Sequence, residues 1–94
     1  MTLDRYYSGD EAWENYAAVW ADRWKKCSFQ DALLKELGSD LLLAQTIYAL
    51  FGEHSLTWIH EKVPVLGGKT AVSRLTSKSG IRELREALMR YPYP

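Results

Sequence analysis

The spacing of apolar residues predicts a helix near the start of the chain, beginning after Asp10 as its N-cap and running to about Lys26. Its apolar side chains recur three and four positions apart, which places them on one helical face. That face comprises Trp13, Tyr16, Ala17, Trp20 and Trp24. Such a large aromatic stripe is expected to dock on the other helices, and the alternative is a surface for self-association.

Capping and breaking signals divide the rest of the chain into shorter predicted helices. Their N-caps are Ser28 (a capping box with Asp31), Asp40, Ser55, Thr70 and Ser77, and Gly38 and Gly52 end two of them. The predicted helices span residues 29–37, 41–51, 56–62, 71–75 and 78–90, with a loop at 63–69. No stretch alternates in the manner of a strand. We therefore expect an all-α fold, a small bundle of about five to six helices.

Length and composition indicate one compact unit. The chain has 94 residues, of which 47% are apolar and 26% charged, as in a globular protein rather than a disordered one. Within this unit we distinguish a tryptophan-rich helical segment at 1–40 from the remainder at 41–94. The sequence shows neither a secretion signal nor a stretch long enough to span a membrane, and its single cysteine, Cys27, fits a reducing compartment. We expect a cytoplasmic protein.

Charge is balanced overall but unevenly distributed. Residues 1–68 hold six Lys or Arg and ten Asp or Glu, whereas residues 69–94 hold six bases and two acids, Glu83 and Glu86. The C-terminal third therefore carries a net charge of +4. This basic segment fits an acidic partner surface, and a solvated helix face explains it equally well.

The stretch VPVLGGKTAV ends in GGKT, like a phosphate-binding loop. That motif needs a glycine five positions before its second glycine and a strand leading into it. Here the position is Val63, and the preceding LTWIHEK reads as helix. We therefore expect Gly67 and Gly68 to form a tight turn between helices and to bind no nucleotide.

No other pattern assembles a reactive site. The would-be recognition helix of a helix–turn–helix, DLLLAQTIYALF, carries no Lys or Arg, so DNA binding by this chain alone is not expected. His54 and His60 lie six apart without further ligands, which does not suit zinc. Cys27 reads as a buried or boundary thiol. No nucleophile and base can be paired, so we expect neither a cofactor nor an enzyme.

From Trp58 to the C-terminus the sequence resembles the toxin-binding domain of the Xre/MbcA/ParS antitoxin family. Leu66-Gly67-Gly68 follows Trp58 at the spacing typical of that domain, and the remaining positions follow without a gap. These are Thr70, Leu75, Gly80, Leu88 and Arg90. More weakly, the resemblance reaches back to Leu41–Gly52, so it covers the toxin-binding domain at 41–94.

The chain departs from the family at three places. Lys62-Val63 stands where the family often has Pro-Asn, Ala71 stands where it has proline, and Tyr93-Pro94 stands near where it often has a glycine after the last helix. Only about 40 residues precede the resemblance, too few for the DNA-binding domain that many members of the family carry.

The resemblance implies an antitoxin of a type II toxin–antitoxin pair, which binds a RES-domain toxin that uses NAD and covers its active site. The resemblance also implies a structural role, rather than a toxin contact, for five residues: Trp58, Leu66, Leu75, Gly80 and Leu88. Our interpretation places the toxin contacts on one face of the last helix, on the glycine loop and in the tail. The residues are Gly67, Gly68, Lys69, Thr70, Arg82, Arg85, Arg90, Tyr91 and Tyr93. Rival hypotheses are a self-associating scaffold or adaptor and a regulator of its own operon.

Overall fold

The computed structural model describes residues 3–92, and over that range the chain is all-α, as the sequence predicts. That range contains six α-helices and four short 3-10 segments. The helices are α1 (Asp10–Ala18), α2 (Ala21–Trp24), α3 (Gln30–Glu36), α4 (Leu41–Phe51), α5 (Ser55–Trp58) and α6 (Lys78–Met89). The 3-10 segments are Leu3–Tyr6, before α1, and Gly52–His54, Pro64–Leu66 and Val72–Thr76, between α4 and α6. Within the described range there is no strand, although Val63 and Lys69 form one antiparallel bridge.

Helix α4 is the centre of the bundle. Every residue from Leu43 to Ala49 is buried, and α1, α2, α3 and α6 all pack against this helix. A helix buried on all sides must satisfy its polar side chains internally. Gln45 does so by donating to the carbonyl of Ala17 over 2.8 Å, and Thr46 by donating to that of Leu42 over 2.8 Å.

Two of the predicted helix caps are present with their side-chain hydrogen bonds. Asp40 accepts from the amide of Leu43 at the start of α4, and Ser77 accepts from the amide of Gly80 at the start of α6. The capping predictions at Asp10, Ser28 and Ser55 are wrong. Gly9 and Phe29 hold the first two N-cap positions without a capping side chain, and Ser55 lies inside α5.

The predicted first helix is interrupted. It ends at Ala18 and restarts at Ala21, because the amide of Trp20 turns back to bond the carbonyl of Ala17. The break redirects α2 along α4, where Arg23 donates to the carbonyl of Ala49 and Trp24 meets Tyr48 edge-on. Tertiary packing thus overrides the local helical pattern.

The aromatic stripe of the first segment faces the bundle interior for most of its length. Trp13, Ala17 and Trp24 are buried, whereas Tyr16 and Trp20 are half-buried. Tyr16 donates to the carbonyl of Leu88 and so joins α1 to the end of α6. The Cα radius of gyration is 12.2 Å, which matches a compact domain of this length.

Candidate functional site

The glycine loop between α5 and α6 is closed by its own backbone. Gly67 and Gly68 have φ angles of 69° and 77°, in the left-handed region that other residues enter only at a cost. Their amides donate to the carbonyls of Pro64 and Val63, and the amide of Val63 bonds the carbonyl of Lys69 over 3.0 Å. Because these amides are engaged, the loop does not present them to a phosphate.

The four predicted contact residues of this loop differ in what they expose. Gly67, Gly68 and Lys69 lie on the surface, and the Lys69 side chain forms no hydrogen bond or ion pair with the described part of the chain. Thr70 is half-buried, and its hydroxyl oxygen accepts from the amide of Ser73 over 3.2 Å. The predicted cap at Thr70 is displaced, because the segment that follows is the 3-10 segment Val72–Thr76 with Ala71 at its N-cap, and Thr70 stabilises the turn that leads into it.

Gly80 marks the closest approach between α6 and the preceding 3-10 segment. A Cβ atom added there would collide with the backbone carbonyl oxygen of Arg74. Only glycine fits without moving one element. Of the other residues with a predicted structural role, Trp58, Leu66 and Leu88 are buried in the core. Leu75 is half-buried and packs against the core.

Arg82 and Arg85 lie on the same side of α6, as predicted, but they are used differently. Arg82 is exposed, and its side chain forms no hydrogen bond or ion pair with the described residues. Arg85 is mostly buried, and its Nη1 donates to the Tyr7 hydroxyl and to Asp10 Oδ1, each at 3.2 Å. Its guanidinium also lies 5.6 Å from the centre of the Trp13 ring. Arg85 thereby fastens the N-terminal segment to α6.

Arg90 forms a second fastening through Glu86. Its Nε donates to Glu86 Oε2 over 2.7 Å, while the amide and hydroxyl of Ser8 both donate to Oε1 over 2.9 Å. Burial raises the pKa of Glu86, but the hydrogen bonds from Arg90 and Ser8 outweigh it, so the pKa lies below its usual value. The carboxylate is thus held ionised beneath the surface.

Tyr91 follows the end of α6 and packs against an aromatic side chain of the bundle. Its ring meets Phe51 edge-on at 5.1 Å, and Phe51 stacks on Trp58 at 4.0 Å. The predicted contact residue Tyr93 lies outside the described residues.

An open groove of about 290 Å³ runs between the start of α1 and the first turns of α6. It is lined by Asp10, Lys78, Ile81, Arg82 and Arg85. Of the predicted contact residues only Arg82 and Arg85 meet here, and the glycine loop does not line it. Lys78 also lines the groove but was not among the predicted contact residues. Its position four residues before Arg82 would have indicated that the two side chains lie on the same helical face.

The exposed charge of the C-terminal third is basic for a structural reason. The two acids of the C-terminal third, Glu83 and Glu86, are both buried. Glu83 lies 3.6 Å from Arg74 Nη1, and Glu86 is held by Arg90. Lys69, Lys78 and Arg82 remain exposed, and none forms an ion pair with the residues at 3–92.

Other reactive groups are dispersed. Burial raises the pKa of the Cys27 thiol, which suits a core residue. His54 and His60 pair separately, with Glu61 at 3.1 Å and Glu36 at 3.8 Å. Between residues 3 and 92 no three His, Cys, Asp or Glu side chains cluster so as to hold a metal. Nor does any helix there have the length and apolar character to cross a membrane.

Comparison of the chain with family models, with curated proteins and with solved structures found no match.

Proposed function

We propose that this protein is a cytoplasmic antitoxin that binds a RES-domain toxin and neutralises it by covering its active site. The observation that carries the proposal is the ordered register from Trp58 to Arg90 that resembles the toxin-binding domain of the Xre/MbcA/ParS antitoxins. In support of it, the residues of that register serve distinct physical purposes in a single continuous unit. Trp58, Leu66 and Leu88 fill the core, and Gly80 permits the close approach at Arg74.

The same unit leaves a basic surface available to a partner. Lys69 and Arg82 extend from it without internal ion pairs among the described residues. Exposed arginine and lysine side chains attract a partner of opposite charge and fix its orientation. Covering the toxin's cleft requires no chemistry from the antitoxin, so the proposed role is binding without catalysis.

The three arginines of the predicted interface differ in whether they are available to bind the toxin. Arg85 and Arg90 are committed to Asp10, Tyr7 and Glu86 within the chain. Their contribution to toxin binding is therefore to hold α6 in place, and Arg82 is the arginine that contacts the toxin directly. Tyr91, packed on Phe51, adds an aromatic edge to the interface.

Co-expression of the full chain with the product of the adjacent gene tests the proposal. We expect the two proteins to co-purify and the chain to restore growth of cells that express the toxin. The matched pair of variants is Arg82→Glu, which reverses a charge in the proposed interface, and Lys25→Glu, which reverses an exposed charge at the end of α2. Failure of the unmodified chain both to co-purify and to restore growth would overturn the proposal.

A further inference from the structure

The groove between α1 and α6 contains three cationic side chains, of which only one is paired with an acid among the described residues. Lys78, Arg82 and Arg85 line one wall, Asp10 lies opposite, and Ile81 provides an apolar surface between them. Arg85 is the only one of the three cations that contacts an acid in the described part of the chain. Its nearest carboxylate oxygens belong to Asp10, at 3.2 Å, and to Asp40, at 3.9 Å.

Asp10 shows which chemistry the groove accepts. Its carboxylate touches Arg85 although 74% of the side chain is exposed to solvent, so it reaches in from the rim of the groove. Lys78 and Arg82 offer further donors for carboxylate oxygens, and an arginine binds such a group through two parallel hydrogen bonds. The groove therefore already holds one carboxylate and has unused positive charge for others.

We propose that an acidic segment of the partner protein docks in this groove. Its carboxylates bind Lys78 and Arg82, and an apolar side chain lies over Ile81. This inference rests on the proposed function and deepens it by naming the chemistry of the toxin surface that α6 recognises.

The composition of the groove favours an acidic protein over a nucleic acid. A nucleic-acid backbone carries a charge at every nucleotide, and its binding relies on many cations. Here Asp10 and Asp40 already offset Arg85, and Ile81 presents a hydrocarbon surface that a phosphate backbone does not use. A protein segment can alternate carboxylates with an apolar side chain and so meet both features.

Asp10 also competes with the partner, which gives the inference a distinctive test. Its negative charge repels an incoming carboxylate, and its Oδ1 already accepts from Arg85 Nη1. Asp10→Asn removes the charge and retains a side chain of the same shape. We therefore expect this variant to bind the acidic segment about threefold more tightly, because one like-charge repulsion is relieved.

The first experiment measures the affinity of full-length variants for the co-expressed toxin. We expect Lys78→Glu/Arg82→Glu to weaken binding about tenfold at low salt. The control Lys25→Glu/Lys26→Glu, at the end of α2, reverses the same number of charges and should leave the affinity unchanged. If the double variant on α6 binds as well as the unmodified chain, the inference is overturned, while the proposed function stands.

The second experiment does not depend on the toxin. The full chain, labelled for NMR, is titrated with the peptide Glu-Glu-Leu-Glu-Glu, with its Gln-for-Glu counterpart, and with a double-stranded DNA oligonucleotide. We expect only the acidic peptide to shift the amide signals of Lys78, Ile81 and Arg82, and Asp10→Asn to increase its affinity. Unchanged groove signals, equal shifts from the Gln peptide, or a response to DNA alone would each overturn the inference. Circular dichroism melting curves verify that every variant is folded.

Discussion

Glu86 on α6 and Arg90, the residue that follows this helix, are joined by a hydrogen bond of 2.7 Å in which Arg90 Nε donates to Glu86 Oε2. The same carboxylate receives the amide and the hydroxyl of Ser8, 78 positions earlier in the chain. One buried carboxylate thus ties the final helix to the N-terminal segment. Its removal has consequences for both.

Protonation of Glu86 should therefore weaken the fold. Its pKa in the folded protein lies below the ordinary value of 4.5, so its contribution to stability is complete above that pH and is lost as pH falls through the folded pKa. We expect Glu86→Gln to cost about 1–2 kcal/mol at neutral pH and to reduce the loss of stability in acid. Urea unfolding between neutral pH and pH 3 measures both effects. The exposed Glu14→Gln serves as the control, and an equal acid dependence in the two variants would contradict the assignment.

Gly80 should not tolerate alanine even though it lies in a helix. Replacing a helical glycine with alanine ordinarily stabilises by about 1 kcal/mol. Here the added methyl group meets the carbonyl oxygen of Arg74, so we expect a destabilisation of about 1–3 kcal/mol. Thermal unfolding of Gly80→Ala beside the exposed neighbour Ser79→Ala tests this expectation. A Gly80→Ala variant at least as stable as Ser79→Ala would show that α6 can move away from the 3-10 segment at no cost.

The two glycines of the α5–α6 loop should matter through their backbone angles. Both have φ near 70° and nothing near the position of an added Cβ, so crowding does not contribute. We expect Gly67→Ala and Gly68→Ala each to cost about 1 kcal/mol, because alanine is strained in the left-handed region. Lys69→Ala, at the adjacent exposed position, should leave the unfolding midpoint unchanged. Chemical denaturation curves for the three variants measure the difference.

Arg85 should control how firmly the N-terminal segment is held. Its guanidinium contacts Tyr7 and Asp10, so Arg85→Ala removes both contacts together. Hydrogen–deuterium exchange should then accelerate in the segment from residue 5 to residue 10, while α4 stays protected. Arg82→Ala, on the same helix but without such contacts, should leave exchange unaltered. If exchange is unchanged in Arg85→Ala, the prediction is wrong, and the N-terminal segment is held by the contacts of Glu86 instead.

The tryptophan stripe should prove mainly structural. Trp13 is 1% exposed, and we expect Trp13→Ala to destabilise by about 3–5 kcal/mol. Trp20 is half-buried at the break between α1 and α2, so we expect Trp20→Ala to reduce the free energy of unfolding by less than Trp13→Ala does. Light scattering at several concentrations tests the rival self-associating scaffold. A mass that rises with concentration and falls to that of the monomer in a folded Trp20→Ala variant would support the scaffold instead.

Some features of this protein are determined by sequence alone, because their causes are local. Asp40 and Ser77 begin α4 and α6 because each side chain reaches an amide three residues later. Gly67 and Gly68 form the predicted turn, since their own backbone angles permit it. The sequence of α4, apolar except at Gln45 and Thr46, likewise predicts a helix that is buried on all sides.

Other features were decided by tertiary structure, because they depend on residues far apart in the chain. The break after Ala18 follows from packing of α2 on α4, for which the uninterrupted helical pattern holds no signal. The contacts that each arginine makes within the fold could not be predicted from the sequence either. Arg82 and Arg85 look alike in sequence, yet only Arg85 meets Tyr7 and Asp10, which lie more than 70 positions away. Which cations stay available to a partner was therefore settled by the folded positions of the acids.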